Sequence, residues 1–399
     1  MTLPLLPLPR LVALFASLVL WLSATAAPHV PASDSTVLER VPARAIDPRA
    51  RDLQALRAAW RASPQDVDLA VQLARRYVEE AAADGDPRYI GYAQAAMAPW
   101  WTEAAPPPAG RVQRAVLRQH GHQFDEALAD LDAAVKAEPD NAEAWAWLAA
   151  IHLVRADYPA AARACRGLAP LTTPLLAVAC RATVESLTGR AAAAAAAVEL
   201  AVALKAGAGA APIERLWALT RQAEVAERRG SLAIAERAFK EGLALGVPDV
   251  YLRAAYADFL LDNGRAREVL ALLEGGARAD ALLLRLALAA KAVADPRAAG
   301  WTRELAARFA AARARGDSTH EKEEARFALE LQGDAARALD LARRNYEVQR
   351  EAADARILLE AAIAARQPDA AAAVHDWLAA NRVESVVLQS LAAKLGSAK

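Results

Sequence analysis

Gly230 and Gly264 stand 34 residues apart (264 − 230 = 34), and each closes a helical run and opens a turn. Ala223 and Ala257 repeat the interval, as do Ala235 and Val269, and Gly333 to Gln367 spans it once more. A fixed period of this length constrains the fold more than anything else in the chain. Each unit is too short to bury both of its faces, so it gains stability only by stacking on its neighbours. The intervals are dominated by Ala, followed by Leu, Arg and Glu, all strong helix formers. Strand formers are scarce, with 7 Tyr and 6 Phe in the whole chain. The 399 residues also exceed the roughly 250–300 at which a single compact core stops growing. One elongated array of paired helices is therefore expected.

The residues at the hairpin contacts have a characteristic order. Trp145, Leu148 and Ala149 keep a W-x-x-L-small spacing, His152 follows, and Ala161 and Cys165 hold an A-x-x-x-aromatic interval with Cys at the aromatic place. One unit earlier come Phe124, Ala127, Leu128, Leu131, Ala134 and the turn Pro139-Asp140-Asn141. This pattern resembles the tetratricopeptide repeat, most specifically over 111–170 and 213–274. The resemblance implies an all-α, right-handed superhelical solenoid of stacked antiparallel helix hairpins, with no active site of its own. The expected order is a signal peptide over 1–26, a Pro-rich extended segment over 27–46, and N-terminal helices with a Pro-rich break over 47–110. Core repeats follow over 111–274, degenerate repeats over 275–381, and a capping helix and tail over 382–399. Residues 99–110, which include Trp100 and Trp101, read as a loop that interrupts the array.

The N-terminus addresses the compartment. Arg10 precedes an apolar run over 11–22 that leaves through Ser23-Ala24-Thr25-Ala26-Ala27-Pro28, the layout of a secretory signal cleaved after Ala26. The run falls short of the roughly 20 residues that span a bilayer, so export is expected, with an uncleaved anchor as the alternative. In an oxidising compartment the two cysteines, Cys165 and Cys180, are expected to pair. They lie at matching heights either side of the break at Ala169-Pro170 and Thr173-Pro174. Two buried thiols would be the other arrangement.

Motifs for chemistry are missing. No Gly-x-Ser-x-Gly elbow, phosphate loop, His-Glu-x-x-His or zinc-type Cys cluster occurs, so no catalytic residue, metal or cofactor is expected. His120 and His122 flank Gly121 in what reads as an exposed polar turn in preference to a metal site. Charge is balanced, 48 Lys+Arg against 48 Asp+Glu, which leaves no basic field for nucleic acid.

In the family that this chain resembles, the first helix of each hairpin lines a concave face. Transferred here, that implies a partner-binding set of Trp217, Arg221, Glu224, Arg228, Tyr251 and Asp258, with Thr220, Ala146, Ala150 and Ala254 among the outward positions. The alanines depart from the family's Lys and Asn carboxylate clamp. Trp, Tyr and Arg are the residues that dominate protein-binding hot spots, although both aromatics also suit packing between repeats. The sequence thus points to a non-enzymatic scaffold or adaptor in the periplasm or outside the cell, without stable membrane insertion after cleavage, holding another exported protein or an envelope assembly. The alternatives are a binding module for a peptide, glycan or small ligand, and an enzyme or enzyme subunit.

Overall fold

The computed structural model describes residues 48–204 and 209–396. The expected signal peptide, the extended segment over 27–46 and the end of the tail, 397–399, lie outside the described residues. The described residues from Asp52 onward form one compact unit. Among the described residues every regular element is helical, and no helix is long and apolar enough to cross a membrane.

Helix α1 (Pro48–Ala62) is followed by the hairpin of α2 (Val67–Asp84) and α3 (Arg88–Ala96), and then by one turn of helix, α4 (Ala98–Trp101). Four hairpins come next: α5 (Pro108–His120) with α6 (Phe124–Ala137), α7 (Ala142–Val154) with α8 (Tyr158–Leu168), α9 (Pro174–Ser186) with α10 (Ala191–Ala203), and α11 (Pro212–Arg228) with α12 (Leu232–Ala244). The next pair, α13 (Val250–Asp262) and α14 (Ala266–Leu272), has a short second helix, and α15 (Asp280–Ala292) pairs with a long α16 (Ala298–Ala314). The C-terminal part holds α17 (Glu321–Arg326), α18 (Ala335–Val348), α19 (Ala352–Ala364), α20 (Ala372–Asn381) and α21 (Val386–Gly396). This is an all-α repeat solenoid, whose first helices start between 30 and 41 residues apart from Pro108 to Ala352.

Short side chains fix the turns. Asp66 accepts hydrogen bonds from the N–H groups of Asp68 and Leu69 at 3.0 and 3.1 Å, and Asn141, Asp157, Asp249 and Asp334 cap α7, α8, α13 and α18 in the same way. Each satisfies a donor that the first helical turn leaves without a partner. The Cys165–Cys180 disulfide joins α8 to α9, with Cα atoms 5.7 Å apart. At that corner Gly167 faces the Trp145 ring, and a Cβ there would stand 2.6 Å from it.

Two elements differ from expectation. The loop expected over 99–110 shrinks to 102–107, because Pro99 and Pro108 sit in the first turns of α4 and α5, where the N–H that proline lacks has no helical partner anyway. Trp100 is buried against α2 and its neighbours and plugs the stack. After α17 the helix widens into a π-helix, Phe327–Gln332, stopped by Gly333 in the left-handed conformation.

The array also winds back on itself. Gly85 lies against Ala279, where an added Cβ would be 2.5 Å from the Ala279 Cβ. The Arg350 N–H donates to the Val154 carbonyl at 2.8 Å, and the Ala191 N–H donates to Glu384 at 3.1 Å. The separations are nearly constant: 279 − 85 = 194, 350 − 154 = 196 and 384 − 191 = 193. One turn therefore takes between five and six 34-residue units, and each turn touches the next. A single apolar cluster accordingly holds Phe124, Leu148 and Tyr158 together with Leu358, Trp377 and Leu388.

Candidate partner-binding face

The first helices of the hairpins, α11, α13, α15, α17 and α19, bring a dense set of charges to the inner face. In α11, Trp217 and Arg221 are one turn apart, and Arg221 extends between two rings. Its guanidinium carbon is 5.8 Å from the Trp217 ring centre and 5.4 Å from that of Tyr251 on α13, within cation–π range. Glu224 forms an ion pair with Arg221 at 2.9 Å and accepts from the Tyr251 hydroxyl at 2.6 Å. These four expected residues form one cluster.

Arg228 lies further along α11, where it donates to Ser186 at 2.7 Å. The Nε groups of Arg221 and Arg228 have no hydrogen-bond partner among the described residues. Asp258 is engaged by its own chain, accepting from Arg285 at 3.0 and 2.5 Å and from Arg326 at 2.5 Å. Thr220 and Ala254, expected to face outward, are buried. Thr220 turns its hydroxyl to the Leu216 carbonyl at 2.8 Å, because packing covers more than one side of these helices.

The repeat register would have found partners that were missed. Adding 34 to 251 gives Arg285, and adding 34 to 228 gives Asp262. Arg356, itself 34 beyond Lys322, reaches Asp262 at 2.8 Å across 94 residues of sequence. Lys322 lies 3.7 Å from the fully buried Asp354 and 3.9 Å from Glu323. The inner face is thus narrow enough for a single ion pair to bridge.

Electrostatics follow from that crowding. Tyr251 is 54% exposed, yet burial of its hydroxyl among inner-face groups, then the Glu224 charge, raises its pKa well above the ordinary value. Asp258 is held low: burial alone would raise it, but Arg285 and Arg326 outweigh that. Lys322 is held high by Asp354, Glu323 and Glu351 against the effect of burial. Burial pushes Glu227 up to about 8, with Asp262, Glu224 and Asp258 adding to the shift. His120 is lowered to about 4 by burial and then by His122, and His122 is lowered by burial and then by the Lys322 charge. Among the described residues no group of three or more His, Cys, Asp or Glu is placed to hold a metal ion.

Glu227 gives a pH test. Its folded pKa exceeds the ordinary carboxylate value, so the folded chain keeps a proton that the unfolded chain releases. That lowers stability progressively from about pH 4.5 to about pH 8, and the loss is constant above. Glu227→Gln should remove this decline and stabilise the protein at pH 8 by on the order of 2 kcal/mol relative to its effect at pH 4. Urea unfolding at both pH values measures it, and an equal effect of the substitution at both would refute the assignment.

No family model matches the chain, and the comparison with curated proteins gives no match. Solved structures do match. A tetratricopeptide repeat protein from Parabacteroides merdae is 13% identical, covering 74% of this chain and 98% of that one, with a TM-score of 0.35. Human IFIT1, solved as a dimer with PPP-AAAA, is 14% identical over 88% and 87%, with a TM-score of 0.46. The Cut9–Hcn1 structure is 12% identical over 87% of this chain, with a TM-score of 0.41, and this chain spans about half (52%) of that one.

Proposed function

We propose that this tetratricopeptide-type array is a non-enzymatic scaffold of the cell envelope that holds an exported partner on its inner face, through Trp217, Arg221, Glu224, Arg228 and Tyr251. The observation that carries the reading is the half-exposed Tyr251 stacked with Arg221. A large aromatic left open beside an arginine is the composition of a binding hot spot. Asp258, already committed to Arg285 and Arg326, serves to shape the face. Carboxylates oppose the cations throughout, which disfavours nucleic acid. Export rests on the N-terminal signal pattern and on the disulfide, which suits an oxidising compartment.

Crosslinking in intact cells followed by affinity capture tests this. The wild-type chain should capture an envelope protein, and Tyr251→Ala should weaken that capture about tenfold or more with little change in thermal stability. Capture that Tyr251→Ala leaves intact would sink the inner-face reading, and a chain found wholly in the cytosol would sink the envelope role.

A further inference from the structure

A second charged site lies away from that face, where the Trp100-Trp101 turn meets the first core hairpin. Arg111, Arg114 and Arg118 recur along one side of α5 and converge on a single carboxylate, Asp130 of α6. Arg114 is buried and fully used: it donates to both Asp130 oxygens at 2.8 and 2.6 Å and to the carbonyls of Trp100, Trp101 and Glu103 at 2.8, 3.1 and 2.7 Å. It thereby fixes the wall of a cavity of about 580 Å³ lined by Trp101, Arg111, Arg118 and Asp130. The other two guanidiniums are less well matched. Arg118 donates to Asp130 at 2.6 Å, with its carbon 5.8 Å from the Trp101 ring. Arg111 is 3.8 Å from the same carboxylate and donates to the Ala104 carbonyl at 3.3 Å.

Three guanidiniums face one buried carboxylate, and counting the exposed Glu103 at the rim still leaves a net positive charge. The single charge of Asp130 is shared by three guanidiniums, and Arg111, at 3.8 Å, stands farther from it than Arg114 and Arg118 at 2.6 Å. A positive cavity with a donor to spare and an indole wall has the chemistry of an oxyanion site, since charge-assisted bonds from arginine to carboxylate or phosphate are the strong ones. We infer that this cavity binds an oxyanion, a phosphate or a carboxylate, through Arg111 and Arg118, with Trp101 against the group that carries it. This site is independent of the inner face and needs no partner protein there.

Isothermal titration of the full mature chain with inorganic phosphate, and separately with acetate, tests the inference. One of the two should bind saturably with a Kd in about the millimolar range or below, and which one does so tells phosphate from carboxylate. Arg111→Gln should weaken that binding about tenfold or more, whereas the surface variant Arg237→Gln should leave it unchanged. Thermal shifts alone would mislead, because phosphate stabilises folded proteins generally by exclusion from their surface. Absence of saturable heat with both anions overturns the proposal, as does an isotherm that Arg111→Gln does not alter. Should Arg111→Gln fail to fold, Trp101→Phe takes its place with weaker binding expected, and the wild-type titrations stand by themselves.

Discussion

Trp377→Ala should destabilise the protein by about 3–5 kcal/mol, far more than an outer residue of a terminal repeat would. Trp377 is only 7% exposed, and its Nε1–H donates to the Tyr158 hydroxyl at 3.0 Å across 219 residues of sequence. Truncation opens a cavity in the cluster shared by the early and late hairpins. It also strips the Tyr158 hydroxyl of its donor, in a site where burial pushes that hydroxyl's pKa up to about 12. Trp377→Phe, which keeps most of the volume and loses only the N–H, should cost about 1–2 kcal/mol. In a solenoid whose units touch only their neighbours, damage at the end frays the end and leaves the rest intact. Here urea unfolding should shift as a whole, for far-UV circular dichroism and for the environment of Trp145 alike. Fraying limited to the last helices, with the rest of the transition unmoved, would show that the turns do not support each other.

Removing the Cys165–Cys180 bond should cost about 3 kcal/mol, the chain-entropy value for a loop of about 15 residues. The cysteines are 15 apart in sequence and are 4% and 3% exposed. The native bond is therefore shielded, and reductant should act only as the protein opens. Unfolding of Cys165→Ala/Cys180→Ala against the oxidised wild type measures the cost. Thiol titration of the denatured, unreduced protein should find no free sulfhydryl, and two free groups would remove both the cross-link and the support it gives to an oxidising compartment.

Much of the fold was legible because hairpin geometry is local. A turn residue, a cap and a small residue at a helix contact each leave a mark at a fixed interval, as at Gly230, Asn141 and Ala223. The inner face was half legible. Trp217, Arg221, Glu224 and Tyr251 do come together, but Asp258 is engaged by Arg285 and Arg326, which the same 34-residue register reaches only if carried into hairpins that match the repeat poorly. Thr220 and Ala254 lie inside because helices within a wound array pack on several sides, which one outward stripe per helix does not capture. The return of Arg350 to Val154 left no sequence mark. It depends on the rotation per unit summed over between five and six units, and small packing angles do not show in any one of them.

The backbone bond from Arg350 to Val154 has a consequence for how the chain is made. Neighbour-only repeats can zip up from any starting point, but residues brought together from almost 200 positions away must wait for a long loop to close, which slows folding. The apolar surface around Phe124 and Leu148 stays partly uncovered until the last helices have been synthesised. A chain wound in this way would therefore not lock until its C-terminal helices arrive. Its maturation would be set by arrival of the final 60 or so residues, and the same interval is when aggregation or a holding chaperone would compete.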